Sequence, residues 1–129
     1  PNKIVRKPFQ EILGNYPQVI FSEPLPYDKL ISVIKQCYFL MTDSGGLQEE
    51  APALSKPVLV LRDTTERPEA IEAGTAKLIG TNSSNIFEES DLLLSNKKAY
   101  EKMAKVANPF GDGNASKKIR ECCISFLNQ

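Results

Sequence analysis

Two stretches of this chain hold residues whose types and spacing suit chemistry. The first is Thr42-Asp43-Ser44-Gly45-Gly46-Leu47-Gln48-Glu49-Glu50, placed where the apolar run Tyr38, Phe39, Leu40 and Met41 stops. The pattern predicts a buried strand, a Ser-Gly-Gly turn and a helix that opens with acidic residues. The first N–H groups of a helix have no internal partner, and the helix dipole adds partial positive charge there. Glycines at 45 and 46 put no Cβ in the way of an approaching phosphate. Glu50 stands one helical turn further in. Amides on a diphosphate and a carboxylate on a sugar diol would together describe a nucleotide site. The plainer alternative is a tight strand-to-helix connection, with Glu49 and Glu50 placed to favour the helix N-terminus.

The second stretch is Arg62-Asp63-Thr64-Thr65-Glu66-Arg67-Pro68-Glu69. Its two arginines match a diphosphate in charge and fork geometry. The alternative is a solvated loop whose internal ion pairs add little stability.

These stretches need elements to position them. Pro57 to Leu61 (PVLVL) reads as a parallel strand covered on both faces. Further strands are expected at 19–21, 38–41 and 76–79. Helices are expected at 4–13, 27–35, 47–54 (bent near Pro52, which is expected within its first turn or two), 68–73 closed by Gly74, 84–94 behind a Ser-rich cap, 96–106 and 116–127. Asn108 to Asn114 (NPFGDGN) reads as a structural turn, with Asp112 capping the last helix. Strands alternating with helices predict an α/β fold with a doubly wound parallel sheet. The turns at Pro24, Ser44 and Arg62 then share the carboxyl rim, where such sheets bind ligands.

The totals narrow the function class. The chain has 129 residues, 41% hydrophobic and 25% charged, with 16 basic and 16 acidic residues. A neutral chain lacks the basic excess of a nucleic-acid binder. No apolar run nears the roughly 20 residues that span a bilayer. The chain starts Pro1-Asn2-Lys3 with no apolar stretch behind it, so no signal peptide is expected. Without an initiator Met, it is expected to begin partway through a longer gene product. Cys37, Cys122 and Cys123 form neither a disulfide framework nor a metal spacing, and suit a reducing compartment. The absence of histidine excludes a Ser-His-Asp or Cys-His nucleophile within this chain.

The run TDSGGLQEEAPALSKPVLVLRDTTERPEAIEAGTAKLIGT, with NPFGDGNASKKI after it and EPLPY before it, closely resembles the bacterial non-hydrolysing UDP-N-acetylglucosamine 2-epimerases. The resemblance covers nearly the whole chain and implies the C-terminal, Rossmann-like domain of a two-domain GT-B fold, residues 1–129. It implies a UDP-sugar ligand, no cofactor, no metal, and a homodimeric, cytoplasmic full-length enzyme. By the resemblance, the backbone of Ser44, Gly45 and Gly46 holds the diphosphate, and Glu50 holds the ribose hydroxyls. Arg67 reaches the phosphate or sugar side, while Leu25 and Leu30 border the uracil. The family commonly has an aromatic residue at the place of Leu30. It usually has glycine at the place of Ser55, where serine is expected to be tolerated unless φ is positive. The family reaction interconverts UDP-GlcNAc and UDP-ManNAc for surface-polysaccharide precursors, by eliminating and re-adding UDP. Its carboxylate bases lie in the other domain, so this chain alone is expected to be inactive. The alternatives are the donor-nucleotide domain of a GT-B glycosyltransferase, a non-catalytic UDP-sugar-binding module and a ligand-free α/β domain.

Overall fold

A computed structural model describes residues 3–128; Pro1, Asn2 and Gln129 lie outside the described residues. The chain divides into two compact units, Pro1–Val33 and Ile34–Gln129.

The first unit opens with helix α1 (Lys3–Leu13), which tolerates Pro8 inside it and is closed by the Gly14 N–H on the Gln10 carbonyl at 2.9 Å. Helix α2 (Tyr27–Gln36) begins in this unit and ends in the next. Asp28 in its first turn and Lys35 in its last both complement the helix dipole. The strand expected at 19–21 does not form. The Val19 N–H is spent in a turn on the Tyr16 carbonyl at 3.0 Å, and Ile20 is 89% exposed. Three apolar residues with no neighbouring strand to pair with have no ladder to join.

The second unit is an α/β fold built on a parallel sheet in the order β1-β2-β3, with β1 (Leu40–Thr42), β2 (Val58–Val60) and β3 (Ala76–Leu78). Leu40 pairs with Val58, and Val58 pairs with Ala76. Central β2 is wholly buried, as its continuous apolar sequence predicts. The first strand starts two residues later than expected and is an edge rather than a buried strand, with Met41 half exposed. Tyr38 leaves the strand to stack on Tyr100 at 4.1 Å, and its carbonyl accepts the Tyr100 hydroxyl. Leu59, Ile79 and Leu93 form the core, with Phe39, Leu61, Ile86 and Met103 packed against them.

Each strand feeds a helix: α3 (Gly45–Ala53), α4 (Pro68–Ala73) and α5 (Ser83–Ser95). Helices α6 (Lys97–Ala104) and α7 (Ala115–Leu127) follow. The α3 and α4 helices end in the same way. Ser55 N–H bonds Pro52 O and Lys56 N–H bonds Ala51 O in one, while Gly74 N–H bonds Ile71 O and Thr75 N–H bonds Ala70 O in the other. This double closure needs a left-handed residue at its centre. Gly74 supplies it at φ 84°, whereas Ser55 adopts φ 57° with a side chain attached. Pro52 falls in the last turn of α3 rather than in its first turn or two, and it is buried beside Ala51.

The caps also differ from the sequence expectation. Asn82, not a serine, caps α5, because its carboxamide oxygen reaches two amides at once. Asp112 does not cap α7. Its side chain folds the preceding turn, accepting from Asn114 N–H at 3.0 Å and pairing with Lys118 at 2.9 Å.

Candidate functional site

All three strands of the sheet are parallel, so their carboxyl ends share one rim, and the connections leaving β1 and β2 meet there. Thr42 ends β1 and organises the first connection. Its carbonyl accepts Leu61 N–H at 2.9 Å, and its hydroxyl accepts Ser44 N–H at 3.0 Å. That second bond turns the chain immediately, so Ser44 stays extended and α3 starts at Gly45. The expected Ser-Gly-Gly turn is therefore a glycine-led first helical turn. Glu49 and Glu50 lie in the second turn, too deep to act as first-turn anions.

The donors that result are specific. The Ser44 N–H faces inward to Thr42, so it is not one of them. The Gly45 and Gly46 amides occupy first-turn positions that have no partner within the helix. The Ser44 hydroxyl makes no capping bond to them. Neither glycine has positive φ, so backbone conformation requires glycine at neither position. A Cβ on Gly45 would stand 2.5 Å from Glu66 Oε1, whereas over Gly46 the nearest atom, Ser44 Oγ, is 4.0 Å away. The space above Gly46 is open.

Glu50 lies four residues beyond Gly46, on the same helical face. Its Oε2 is buried and has no hydrogen-bond partner among the described residues. Buried carboxylate oxygens are normally satisfied, so this atom is available to accept from a water or a ligand hydroxyl. Glu49, four residues beyond Gly45, is instead ion-paired to Arg67 Nε. Arg67 also donates from Nη1 to the Glu66 carbonyl at 3.1 Å. Glu66 in turn pairs with Arg62 at 2.6 Å. Its own backbone N–H holds the Glu66 carboxyl below the ordinary range, and Arg62 and Arg67 add to that. A charged carboxylate thus stands over Gly45, beside two arginines.

Ser44, Gly45, Gly46, Glu50 and Arg67 all belong to the second unit. Leu25 and Leu30 belong to the first, where they line a cleft with Val5, Phe21 and Pro24, and an Arg6–Glu23 ion pair at 2.5 Å borders it. Sequence reasoning missed Thr42, Gln48, Thr65 and the Glu49 partner of Arg67. A glutamine four residues after Ser44 was the available signal for Gln48. Among the described residues, no group of three or more His, Cys, Asp or Glu is placed to hold a metal ion.

Comparison with known proteins fits this geometry. The family model described as UDP-N-acetylglucosamine 2-epimerase matches residues 1–123. The UDP-N-acetylglucosamine 2-epimerase of Campylobacter jejuni is 50% identical over 127 residues, which are 98% of this chain and 33% of that protein. The crystal structure of UDP-GlcNAc 2-epimerase from Neisseria meningitidis bound to UDP-GlcNAc superposes with a TM-score of 0.89 at 49% identity, over 96% of this chain and 34% of that one. The Methanocaldococcus jannaschii UDP-GlcNAc 2-epimerase in complex with UDP-GlcNAc and UDP superposes with a TM-score of 0.75 at 30% identity, over 96% and 34%. The chain spans about a third of the length of these relatives. With the glycine-led helix, the buried acceptor and a match over nearly its full length, this chain belongs to the UDP-N-acetylglucosamine 2-epimerase family.

Proposed function

We propose that residues 1–129 are the UDP-binding C-terminal domain of a non-hydrolysing UDP-GlcNAc 2-epimerase with a GT-B arrangement. The observation that carries this reading is the unpartnered, buried Glu50 Oε2, one turn beyond an uncapped pair of glycine amides. In this reading the Gly45 and Gly46 amides and the Ser44 hydroxyl receive the diphosphate. Glu50 accepts from the ribose hydroxyls. Arg67 exchanges part of its bond with Glu49 for a phosphate oxygen. The resemblance and their apolar surroundings support Leu25 and Leu30 as the uracil-side residues.

The chemistry follows from what those groups stabilise. Inversion at C2 of the sugar by elimination puts developing negative charge on the departing diphosphate. Fixed amide and guanidinium donors stabilise that charge, and binding UDP between the two steps keeps it in place for re-addition. Proton removal at C2 belongs to the remainder of the enzyme, so this chain alone turns over no substrate. The family resemblance supports the rest of the reading: UDP-ManNAc as the product, a cytoplasmic homodimer, and supply of polysaccharide precursors.

Titration of the chain with UDP, beside its Glu50→Ala variant, tests the proposal. The expected result is measurable binding by the parent and a loss of about tenfold on removing the carboxylate. Equal affinities would remove Glu50 from the site, and no binding by the parent would remove the function.

A further inference from the structure

Gln48 is fully buried in α3. A buried carboxamide is costly unless both its ends are bonded. Here both ends are. Nε2 donates to the Ser44 carbonyl at 3.3 Å, and Oε1 accepts from the Thr65 hydroxyl at 2.6 Å. The Thr65 oxygen accepts in turn from Arg67 N–H at 3.1 Å. The orientation is chemically forced. The Ser44 carbonyl can only accept and the Arg67 N–H can only donate, so the single Thr65 proton must point to Gln48 Oε1. One directed chain of hydrogen bonds therefore joins the start of α3 to the arginine loop.

The two ends of this chain are the atoms that matter for a diphosphate. The Ser44 carbonyl and the Gly45 N–H belong to one planar trans peptide and point in opposite directions. Drawing the carbonyl toward Gln48 aims the Gly45 N–H away from the core, into the anion cradle. At the other end, the Thr65 bond fixes the Arg67 backbone directly before Pro68, the first residue of α4. We infer that Gln48 and Thr65 are a positioning pair that sets the Gly45 amide and Arg67 at the spacing a diphosphate requires. The inference rests on the UDP-binding reading above.

The test uses the parent chain and its Thr65→Val, Thr65→Ser and Gln48→Leu variants, with UDP and uridine as probes. Amide hydrogen exchange at Arg67 is followed alongside. Thr65→Val and Gln48→Leu are each expected to weaken UDP binding about tenfold, with little change for uridine. Both are expected to speed exchange of the Arg67 amide, and Thr65→Ser restores UDP affinity to within about twofold, because it keeps the hydroxyl. Thr65 is only half buried, so its variants keep the test decisive if Gln48→Leu does not fold. A parent that binds UDP with an affinity indifferent to Thr65→Val would overturn the inference alone, as would a Thr65→Ser variant that fails with Thr65→Val. A parent that binds no UDP would overturn the functional reading and this inference with it.

Discussion

Helices α3 and α5 leave the same sheet from the same rim and start from nearly the same backbone. Ser44 precedes α3 at φ −81°, ψ 128°, and Asn82 precedes α5 at φ −71°, ψ 128°. Asn82 closes its helix by accepting from the Ser84 and Asn85 amides at 2.9 and 3.3 Å. Ser44, equally able to cap by residue type, makes no such bond, and two glycines follow it. One helix start satisfies itself, while the other keeps its donors and open space for something else. The backbone of a strand-to-helix turn thus does not make an anion site. In the reading proposed here, withheld capping and a missing side chain do.

The largest effect on this contrast is expected from Gly46→Ala. Alanine is the better helix former, so the melt should show stabilisation of about 0.5 kcal/mol. The new methyl enters the open space, and UDP affinity should fall by more than about tenfold. A variant that binds like the parent would mean that the phosphate does not lie over Gly46.

A paired exchange sharpens the comparison. Asn82→Ala should cost about 1 kcal/mol in thermal or denaturant unfolding and leave UDP affinity unchanged. Ser44→Ala should leave stability nearly unchanged and weaken UDP binding by about threefold. Equal stability losses would show that Ser44 caps α3 in solution and would dissolve the contrast.

The C-terminal ends of α3 and α4 give a smaller and purely structural contrast. Ser55→Gly should stabilise the chain by about 1 kcal/mol in chemical denaturation, because it removes the Cβ clash of a left-handed residue. No gain would mean that the local backbone relaxes away from φ 57°.

The smallest effect concerns acid. The Glu66 pKa is lowered in the folded chain, first by its own backbone N–H and then by Arg62 and Arg67. Its contribution to stability is present above the unfolded-state pKa of about 4.3 and is lost as pH falls through the lower folded value. Glu66→Gln should therefore flatten the acid limb of the stability curve while leaving the neutral region close to the parent. An unchanged acid limb would mean that the Arg62 pair is absent in solution.

Much of this was legible from residues because it is local. The apolar PVLVL run announced β2, Gly74 announced the end of α4, and the glycines of the Ser44–Glu50 segment announced the start of α3. What stayed hidden depends on partners distant in sequence. Val19 to Phe21 has strand residues but pairs with no strand among the described residues. Glu49 looked like a dipole charge until Arg67, 18 residues on, took it. Gln48 carried no signal of its own, because its partner Thr65 lies 17 residues on. The φ of 57° at Ser55 was signalled only by the glycine usual at that place in the family, since serine itself announces no left-handed turn.

Ligand is expected at the uncapped helix start and not at the capped one. Heteronuclear NMR titration of the chain with UDP tests it most directly. The Gly45 and Gly46 amides are expected to shift with added nucleotide while the Ser84 and Asn85 amides stay still. Shifts at Ser84 and Asn85 with Gly45 and Gly46 unmoved would contradict it.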